Sequence, residues 1–491
     1  SGLIRPTSSA TISGTINQTP YWMSGAPSTT NIFVYDARGS VYAYSIDAGT
    51  VSNIADVGAT TGSGNGMAYY DKYQYFATDT DIARYGPLDG SAAPGWTENY
   101  WQDVLGMASL EDASYPYTLL PSGVSGQLPN HYLLPHSDGR LYILDTVAGQ
   151  GYLHHIQTVN GAGGSSSAYQ TVAFPPGLVP ICAESYGSNI AIALYERNAA
   201  ASTSNIGIRS KTGRSKIAFW DTLSRNINSI TWVEFPDGLI TAMKNVNGTL
   251  YAFSAPAEKT PGVRISRYIG GNTFEEVESI EEALAPLPGA VDGTASRLVF
   301  GSYTRTPKTA GCIYSLGLAK GGLSKGVFCP FMSRTVDDSM VTALILPTNY
   351  ALGKGWDYPI FGVSDFSSAH RLESISGTAN CNSAFWSQVF RIGQRFKIVK
   401  IRIPLAEPLT SGTTLIPKIY TDDGFGTAFT LQTINLTNFG TKRSIVLRPT
   451  DITTSAPVTG ESNFWLELGY TTSYPLTIGL PITIEVEIIP D

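Results

Sequence analysis

The sequence predicts an all-β protein, with an irregular β-propeller of about seven blades followed by a C-terminal β-sandwich of jelly-roll or immunoglobulin-like type. Three observations support this prediction. A quartet of aliphatic and aromatic residues followed by a small or acidic residue recurs through the first ~370 residues. No long stretch has the apolar spacing of an amphipathic helix, and the last ~110 residues alternate apolar with polar side chains.

The segment from Asn31 to Gly49 defines the repeating unit. Ile32 to Tyr35 and Val41 to Tyr44 are short runs of β-branched and aromatic residues. The residues between them, Asp36 to Gly39, supply the Asp and Gly that a tight reversal needs. We therefore predict a β-hairpin here.

Six later segments repeat the pattern of the second strand of this hairpin. They are Ile82 to Tyr85, Leu141 to Leu144, Ile217 to Trp220, Leu250 to Phe253, Ile313 to Leu316 and Pro359 to Gly362. Seven units of about 50 residues match the size of a four-stranded propeller blade. The uneven spacing leaves six or eight blades, or an irregular sandwich, as alternatives. We expect five aromatic residues of the quartets to occupy equivalent strands of different blades: Tyr42, Tyr142, Trp220, Tyr251 and Tyr314.

Composition and repeat boundaries predict three regions. Residues 1–30 form an N-terminal arm whose strand we expect to complete the last blade, and residues 31–375 form the propeller. Small polar residues between Ser374 and Ser383 mark the end of the repeat. Residues 384–491 hold seven strand candidates, including Lys397 to Ile403 and Ile482 to Ile488, which alternate at period two.

One segment inside the propeller region has helical character. Phe274 to Leu284 is short, acidic and followed by two prolines, so we predict at most one surface helix there. A long insertion from Ser91 to Pro129 is rich in aromatic residues, and loops of this length usually make contacts or carry function.

Charge and cysteine content narrow the classes of function. The net charge is -7 and only 14% of residues are charged, which gives no electrostatic reason to expect nucleic-acid binding. No stretch reaches the ~20 apolar residues of a membrane span. Cys312 and Cys329 lie in neighbouring strand candidates and are the one pair considered for a disulfide, with buried thiols as the alternative.

Motifs for catalysis are incomplete in this sequence. Gly322 to Gly326 matches G-x-S-x-G, but the strand before it and the helix after it that a nucleophile elbow requires are missing, so we interpret it as a loop. A propeller glycosidase would need paired carboxylates across a central pocket, and the sialidase box S-x-D-x-G-x-T-W occurs at no turn. We predict no catalytic residue and no cofactor.

The candidate metal ligands are equally incomplete. His154 and His155 are adjacent on a predicted strand, so their side chains should point to opposite faces. Acidic residues stand at turn positions in two places, Asp79 with Asp81 and Asp422 with Asp423, but neither place offers the spaced oxygen donors of a calcium loop. We therefore predict no metal site.

Aromatic residues in Gly-containing and Pro-containing segments are the remaining candidates for contacts. These are Trp96, Trp101, Trp356 and Tyr358. Such side chains stack on sugar rings or anchor protein interfaces. The alternative for each of them is packing inside a blade.

Several segments give the chain a resemblance to a known class of proteins. They are the quartets, Asp81 to Asp89, Val389 to Pro404 and Pro417 to Asp423. With these segments the chain resembles tailed-bacteriophage virion proteins in which an irregular propeller precedes a sandwich. The resemblance implies a non-enzymatic structural role in the tail, as a nozzle, hub or fibre-associated protein, located in the virion. It implies as partners other virion proteins, copies of the chain itself and a host-surface glycan, and it assigns no catalytic residue. The alternative is a secreted propeller that binds or cleaves carbohydrate.

Overall fold

The architecture is described from a computed structural model. It describes residues 3–4, 8–27, 29–57, 66–110, 115–116, 127–128, 131–147, 150–158, 166–196, 215–224, 231–235, 238–255, 262–280, 283–294, 297–304, 310–317, 327–331, 339–347, 359–365, 369–376, 381–387, 390–405, 408–409, 411–421, 429–448, 458–460, 462–472, 478–479 and 481–490. By contacts the chain divides into two compact units, one of Thr11–Arg305 with Thr309–Ser374 and the other of Ser1–Ala10, Thr306–Lys308 and Ile375–Asp491. The prediction of an all-β protein is confirmed.

Seven four-stranded antiparallel sheets follow one another in the described part of the first unit. Sheet 1 consists of Pro20–Gly25, Asn31–Asp36, Ser40–Ser45 and Thr50–Asp56. Sheet 2 consists of Gly66–Tyr70, Tyr73–Ala77, Ile82–Gly86 and Gly95–Thr97. Sheet 3 consists of Leu133–His136, Arg140–Val147, Gln150–Thr158 and Ser166–Ala173. Sheet 4 consists of Leu178–Tyr186, Asn189–Glu196, Ser215–Trp220 and Thr231–Glu234.

The remaining three sheets of this unit have the same up-and-down order. Sheet 5 consists of Leu239–Val246, Thr249–Ala255, Val263–Gly270 and Thr273–Ile280. Sheet 6 consists of Val291–Thr294, Arg297–Thr304, Ala310–Gly317 and Val327–Phe331. Sheet 7 consists of Ser339–Ile345, Ile360–Asp365 and His370–Ser376, with Ser8–Thr11 as its fourth strand. Tyr115–Pro116 and Gln127–Leu128 form a separate two-stranded ladder.

The first strands of these sheets form a closed ring. The first strand of each sheet contacts the first strand of the next, and Ser339–Ile345 of sheet 7 contacts Pro20–Gly25 of sheet 1. Radial repetition of four-stranded meanders about a common axis is the architecture of a β-propeller. Each sheet buries both of its faces against its neighbours, so its two middle strands are apolar at almost every position.

The N-terminal segment takes part in two sheets. Ser8–Thr11 is the outer strand of sheet 7, and the Ile12 N–H donates to the carbonyl of Leu372 at 2.9 Å. This agrees with the expectation that an N-terminal strand completes the last blade. Pro20–Gly25, however, is the innermost strand of sheet 1, so the predicted boundary at residue 31 cuts through that sheet.

The predicted hairpin at Asn31 to Gly49 forms, with Tyr35 opposite Val41. Its turn is fixed by the buried carboxylate of Asp36, which accepts the N–H groups of Arg38 and Ser40 at 2.9 Å each. Gly39 completes the reversal with a φ of 87°, which a residue with a Cβ would adopt only under strain.

The predicted surface helix at Phe274 to Leu284 is wrong. Thr273–Ile280 is instead the outer strand of sheet 5. Cross-strand charge pairing stabilises this strand, because Arg267 donates two hydrogen bonds to Glu275 at 2.7 and 2.9 Å. Phe274 and Val277 are partly buried in this strand and pack against different clusters of buried residues.

The five quartet aromatics do not occupy equivalent strands, so that prediction is also wrong. Tyr42, Trp220 and Tyr314 lie in the third strand of their sheets, whereas Tyr142 and Tyr251 lie in the second. The second and third strands are both buried on two faces, so their residue patterns are alike.

The described part of the second unit contains two larger antiparallel sheets and one hydrophobic core. Sheet 8 consists of Cys381–Trp386, Phe390–Arg391, Thr414–Thr421, Phe429–Thr430, Ile434–Asn435 and Asn463–Thr472. Sheet 9 consists of Phe396–Pro404, Ser444–Leu447, Thr459–Gly460 and Thr483–Ile488. Leu3–Ile4 pairs with Ile478–Gly479, and Leu436–Phe439 is a one-turn helix. Buried residues of both sheets share the core, in which the rings of Phe396 and Phe464 lie 5.3 Å apart.

The strand register of sheet 6 bears on the choice between a disulfide and buried thiols for Cys312 and Cys329. Ser302 lies opposite Cys312, and Ser315 lies opposite Cys329. Cys312 is a buried thiol, so the disulfide considered from the sequence does not form. Cys182 is also a buried thiol, and burial raises its pKa well above the ordinary value. None of the helices in the described residues has the length and apolar character needed to cross a bilayer.

Candidate functional site

The predicted contact residue Trp96 is half-buried in the outer strand of sheet 2. Its ring lies 4.8 Å from that of Tyr85 and 5.4 Å from that of Phe76. Both neighbours belong to the packing between sheets 1 and 2, because Tyr35 lies 5.4 Å from Phe76. Trp96 therefore contributes mainly to the core, with one part of its side chain at the surface.

Trp101 is fully buried, so the prediction that it forms a surface contact is wrong. The long insertion folds into a π-helical turn, Tyr100–Val104, and Trp101 donates its indole N–H to the carbonyl of Ala108 at 2.8 Å. The buried carboxylate of Asp81 accepts the backbone N–H of Trp101 at 2.9 Å and holds the turn against sheet 2. Two other predicted contact residues, Trp356 and Tyr358, lie outside the described residues.

A buried cluster of two histidines and one aspartate lies next to Trp101. The carboxylate of Asp145 is 3.4 Å from Nδ1 of His131 and 3.2 Å from Nε2 of His154. Nε2 of His131 donates to the backbone carbonyl of Asp79 at 2.9 Å. The Trp101 ring meets that of His154 edge to face at 5.6 Å. The cluster thus connects the insertion, sheet 3 and the turn within sheet 2.

The electrostatics of this cluster favour a charged carboxylate. Burial acts to raise the pKa of Asp145, but the hydrogen bond from His154 and the positive charges of His131 and His154 together hold the pKa below its ordinary value. His155 points to the opposite face of the strand, where Nδ1 lies 2.5 Å from the Thr171 hydroxyl. The prediction that His154 and His155 face opposite ways is confirmed. No set of three potential metal ligands converges within the described residues.

Of the two acidic turns considered for calcium, only the first lies in the described part of the chain. The carboxylate of Asp81 accepts hydrogen bonds from the backbone N–H groups of Ile82 and Trp101. Burial raises the pKa of Asp81, and these hydrogen bonds lower it by a smaller amount. Its surroundings are those of a structural cap. Asp422, Asp423 and the Gly322 to Gly326 motif lie outside the described residues.

Charged side chains form a ladder across the first strands of sheets 4, 5 and 6. Glu184, Lys244 and Asp292 each stand two positions before the end of their strand. Lys244 Nζ lies 3.3 Å from the Asp292 carboxylate, which also accepts the N–H of Leu346 at 2.9 Å. Burial raises the pKa of Glu184, while the charge of Lys244 and the N–H of Asn245 oppose the rise. The ladder ties neighbouring sheets together.

A turn and an aromatic pair pack against the first strands of the ring. The connection between sheets 5 and 6 forms a short 3₁₀ turn, Pro288–Ala290, which contacts the first strands of sheets 1, 5 and 7. A Cβ on Gly289 would overlap the carbonyl oxygen of Tyr21, so the turn lies directly against sheet 1. Trp22 of sheet 1 reaches past sheet 2 and meets the ring of Tyr132 at 5.5 Å.

Four of the inner strands carry a β-bulge at a similar position. The bulged residues are Tyr21, Ile181, Thr241 and Thr342. All four are buried, and each is skipped by the ladder to the second strand of its sheet. A bulge increases the local twist and re-aims one side chain, which fits strands that converge on a crowded axis.

Comparisons with known proteins add a likeness at the level of fold. No family model and no curated protein sequence matches the chain. Among solved structures, it is similar to a streptogramin B lyase, with 9% identity, 75% of this chain and 97% of the other covered, and a TM-score of 0.44. The WD40 repeats of RRP9 give 11% identity, coverage of 76% and 99%, and a TM-score of 0.44. The β-propeller domain of Cps50 (Swd1) from Myceliophteria thermophila gives 9% identity, coverage of 76% of this chain and 100% of the other, and a TM-score of 0.44. The description of the fold rests on the strand pairing and the ring of contacts, not on these values.

The residues that connect the sheets were not identifiable from the sequence. His131 and Asp145 are 14 residues apart, and no short motif unites them. Glu184, Lys244 and Asp292 are separated by about 50 residues, the repeat length itself. Only an alignment of the first strands of successive repeats would have shown that Glu184, Lys244 and Asp292 occupy corresponding positions.

Proposed function

We propose that the chain is a non-enzymatic structural component of a tailed-bacteriophage virion, located in the tail as a nozzle, hub or fibre-associated protein. In this proposal each of the seven sheets of the first unit is one blade of a seven-bladed propeller. Sheets 8 and 9 are the two layers of a C-terminal β-sandwich, and the two domains join between residues 375 and 384. Assembly takes place through outer surfaces.

Close packing against the first strands of the ring is the observation that carries this proposal. A binding pocket for a small substrate needs concave space with a few convergent polar groups. Gly289 instead lies against Tyr21, and Trp22 meets Tyr132, so backbone and apolar side chains occupy this part of the ring. Lys244 and Asp292, on the first strands of sheets 5 and 6, are paired with each other. This favours contacts at loops, edges and outer faces.

The assignment to a virion is supported by the resemblance of the sequence segments described above. Low charge content and many Gly residues suit a particle that is exposed to its surroundings. The expected partners are copies of the chain, other virion proteins and a host-surface glycan.

Three measurements test this proposal. Light scattering on the purified chain should give the mass of an oligomer, and electron microscopy of particles from the source should locate the chain at symmetric positions in the tail. A screen of polysaccharide substrates should show no turnover. A monomer that is missing from particles and that cleaves a glycan would overturn the proposal.

A group of half-buried aromatic rings favours the second candidate function, a carbohydrate-binding propeller. Tyr268 stacks on Phe219 with 4.7 Å between ring centroids, and Tyr186 and Phe274 lie 5.7 and 5.2 Å from Tyr268. Part of this group is open to solvent, as sugar stacking requires. A glycan array with the wild-type chain and with Tyr268→Ala tests this alternative, and Tyr169→Ala, at an exposed ring in sheet 3, is the control.

A further inference from the structure

Sheet 9 has two outer strands of opposite charge. Its central strand, Phe396–Pro404, pairs on one side with Thr483–Ile488, which we call the acidic edge strand. On the other side it pairs with Ser444–Leu447, which we call the basic edge strand. No described strand pairs with the far side of either one. Open edges of this kind are templates for pairing with another chain.

The charges are separated along the sequence as well as in the sheet. Residues 391–448 hold nine Lys and Arg and three Asp and Glu, whereas residues 449–491 hold six Asp and Glu and no Lys or Arg. Glu485 and Glu487 project from the acidic edge strand, and their side chains remain 51% and 64% exposed beside Lys400 and Lys397. Exposed Lys442 and Arg448 stand on either side of the basic edge strand, at positions that alternate with the buried Ile445 and Leu447.

The apolar face of the acidic edge strand is incompletely covered. Ile484 and Val486 are only partly buried and Ile488 is 44% exposed, although all three point to the side of the sheet that carries the core. The matching residues of the basic edge strand, Ile445 and Leu447, are buried. A further strand beside the acidic edge strand would extend the apolar layer and cover the exposed positions.

We propose, building on the proposed function, that copies of this chain join edge to edge through sheet 9, with the acidic edge strand of one copy beside the basic edge strand of the next. Both edge strands run antiparallel to Phe396–Pro404, so the contact between copies is a parallel pairing that continues the sheet. Leu447 and Ile484 both lie opposite Ile401, so a sheet that continues without a shift places Arg448 of one copy level with Glu485 of the next.

The charge pattern disfavours the symmetric alternative. Two acidic edge strands related by a two-fold axis would pair antiparallel, and a pair centred on Val486 places Glu485 opposite Glu487 in both directions. Like charges directly opposite each other destabilise a ladder. The favoured contact is therefore heterologous, and such contacts produce closed rings or filaments rather than isolated dimers.

Charge reversal on the full chain tests this inference. Glu485→Lys with Glu487→Lys makes both edges basic, and Lys442→Glu with Arg448→Glu makes both edges acidic. Each double variant alone should dissociate, with a dissociation constant raised about tenfold or more. An equimolar mixture of the two should assemble again, and so should a chain that carries all four substitutions. Glu275→Lys, at an exposed and singly paired strand glutamate of sheet 5, is the matched control and should leave the mass unchanged.

Mass in solution by light scattering at low salt distinguishes the outcomes. Recovery on mixing supports the pairing, because folding defects in two separate chains would not cancel. An oligomer that survives both double variants overturns this inference and leaves the proposed function standing. A wild-type chain that stays monomeric also overturns it, and electron microscopy of particles then decides the proposed function independently.

Discussion

Gly289→Ala is the substitution that most directly tests how tightly the turn Pro288–Ala290 packs against sheet 1. The new Cβ would overlap the carbonyl oxygen of Tyr21 and lie 3.3 Å from Cε3 of the Trp22 ring. A backbone oxygen inside the first strand of sheet 1 cannot turn away as a flexible side chain can. Overpacking of this kind costs about 1 to 3 kcal/mol. Gly95→Ala is the matched control, since nothing lies within 4 Å of its Cβ.

The expected thermal shift follows from the size of the first unit. At about 2.1 cal/mol/K of unfolding entropy per residue, a unit of roughly 360 residues loses about 1.3 K in Tm for each kcal/mol. Gly289→Ala should therefore lower the Tm by about 1 to 4 K in calorimetry, and Gly95→Ala should not lower it. Amide exchange should also accelerate in Pro20–Gly25. A folded variant with wild-type Tm and wild-type exchange would refute the packing argument.

Three further predictions concern the histidine cluster, the closure of the ring and the domain boundary. Asp145→Asn removes the buried carboxylate that accepts from His154 and lies beside His131, and it should cost about 1 to 3 kcal/mol in urea unfolding, whereas Asp103→Asn, at an exposed site, should be neutral. Burial lowers the pKa of His370 below 6.5, and the charge of Asp365 opposes this by a smaller amount. The unfolded chain therefore binds a proton at His370 more readily than the folded chain does. Stability should accordingly fall as the pH drops below 6.5, and His370→Gln should flatten that part of the profile. Limited proteolysis should cut between residues 372 and 384 and release fragments of roughly 370 and 110 residues, while cuts scattered through the sheets with none at this join would argue against two domains.

Periodicity and turn residues determined the local structure of this protein. Runs of β-branched and aromatic residues around Asp36 to Gly39 predict the hairpin that forms, because strand and turn preferences are local properties. The Asn247 to Gly248 turn follows the same rule, with φ angles of 51° and 79°. Alternation at period two likewise indicated Phe396–Pro404 and Thr483–Ile488, since each has one face in the core.

Tertiary packing decided the features for which local patterns are ambiguous. Phe274 to Leu284 has the apolar spacing of a short helix, and pairing with Val263–Gly270 makes most of it a strand. Trp101 lies in a Gly-rich and Pro-rich insertion that suggested exposure, and the Asp81 carboxylate instead fixes it in the interior. A periodic pattern reports how many faces of a segment are buried, but not which neighbour buries them.

The polar contacts between sheets depend on the ring as a whole. Lys244 meets Asp292 because consecutive sheets bring distant residues together, and His131 meets Asp145 because neighbouring strands of sheet 3 pair. The amino-acid sequence by itself determined the strands, the turns and the all-β class, since these depend on neighbours a few residues away. Only the tertiary structure decided which charges are paired and that Pro288–Ala290 packs against the first strands of sheets 1, 5 and 7, because those outcomes depend on how the sheets are placed around the ring.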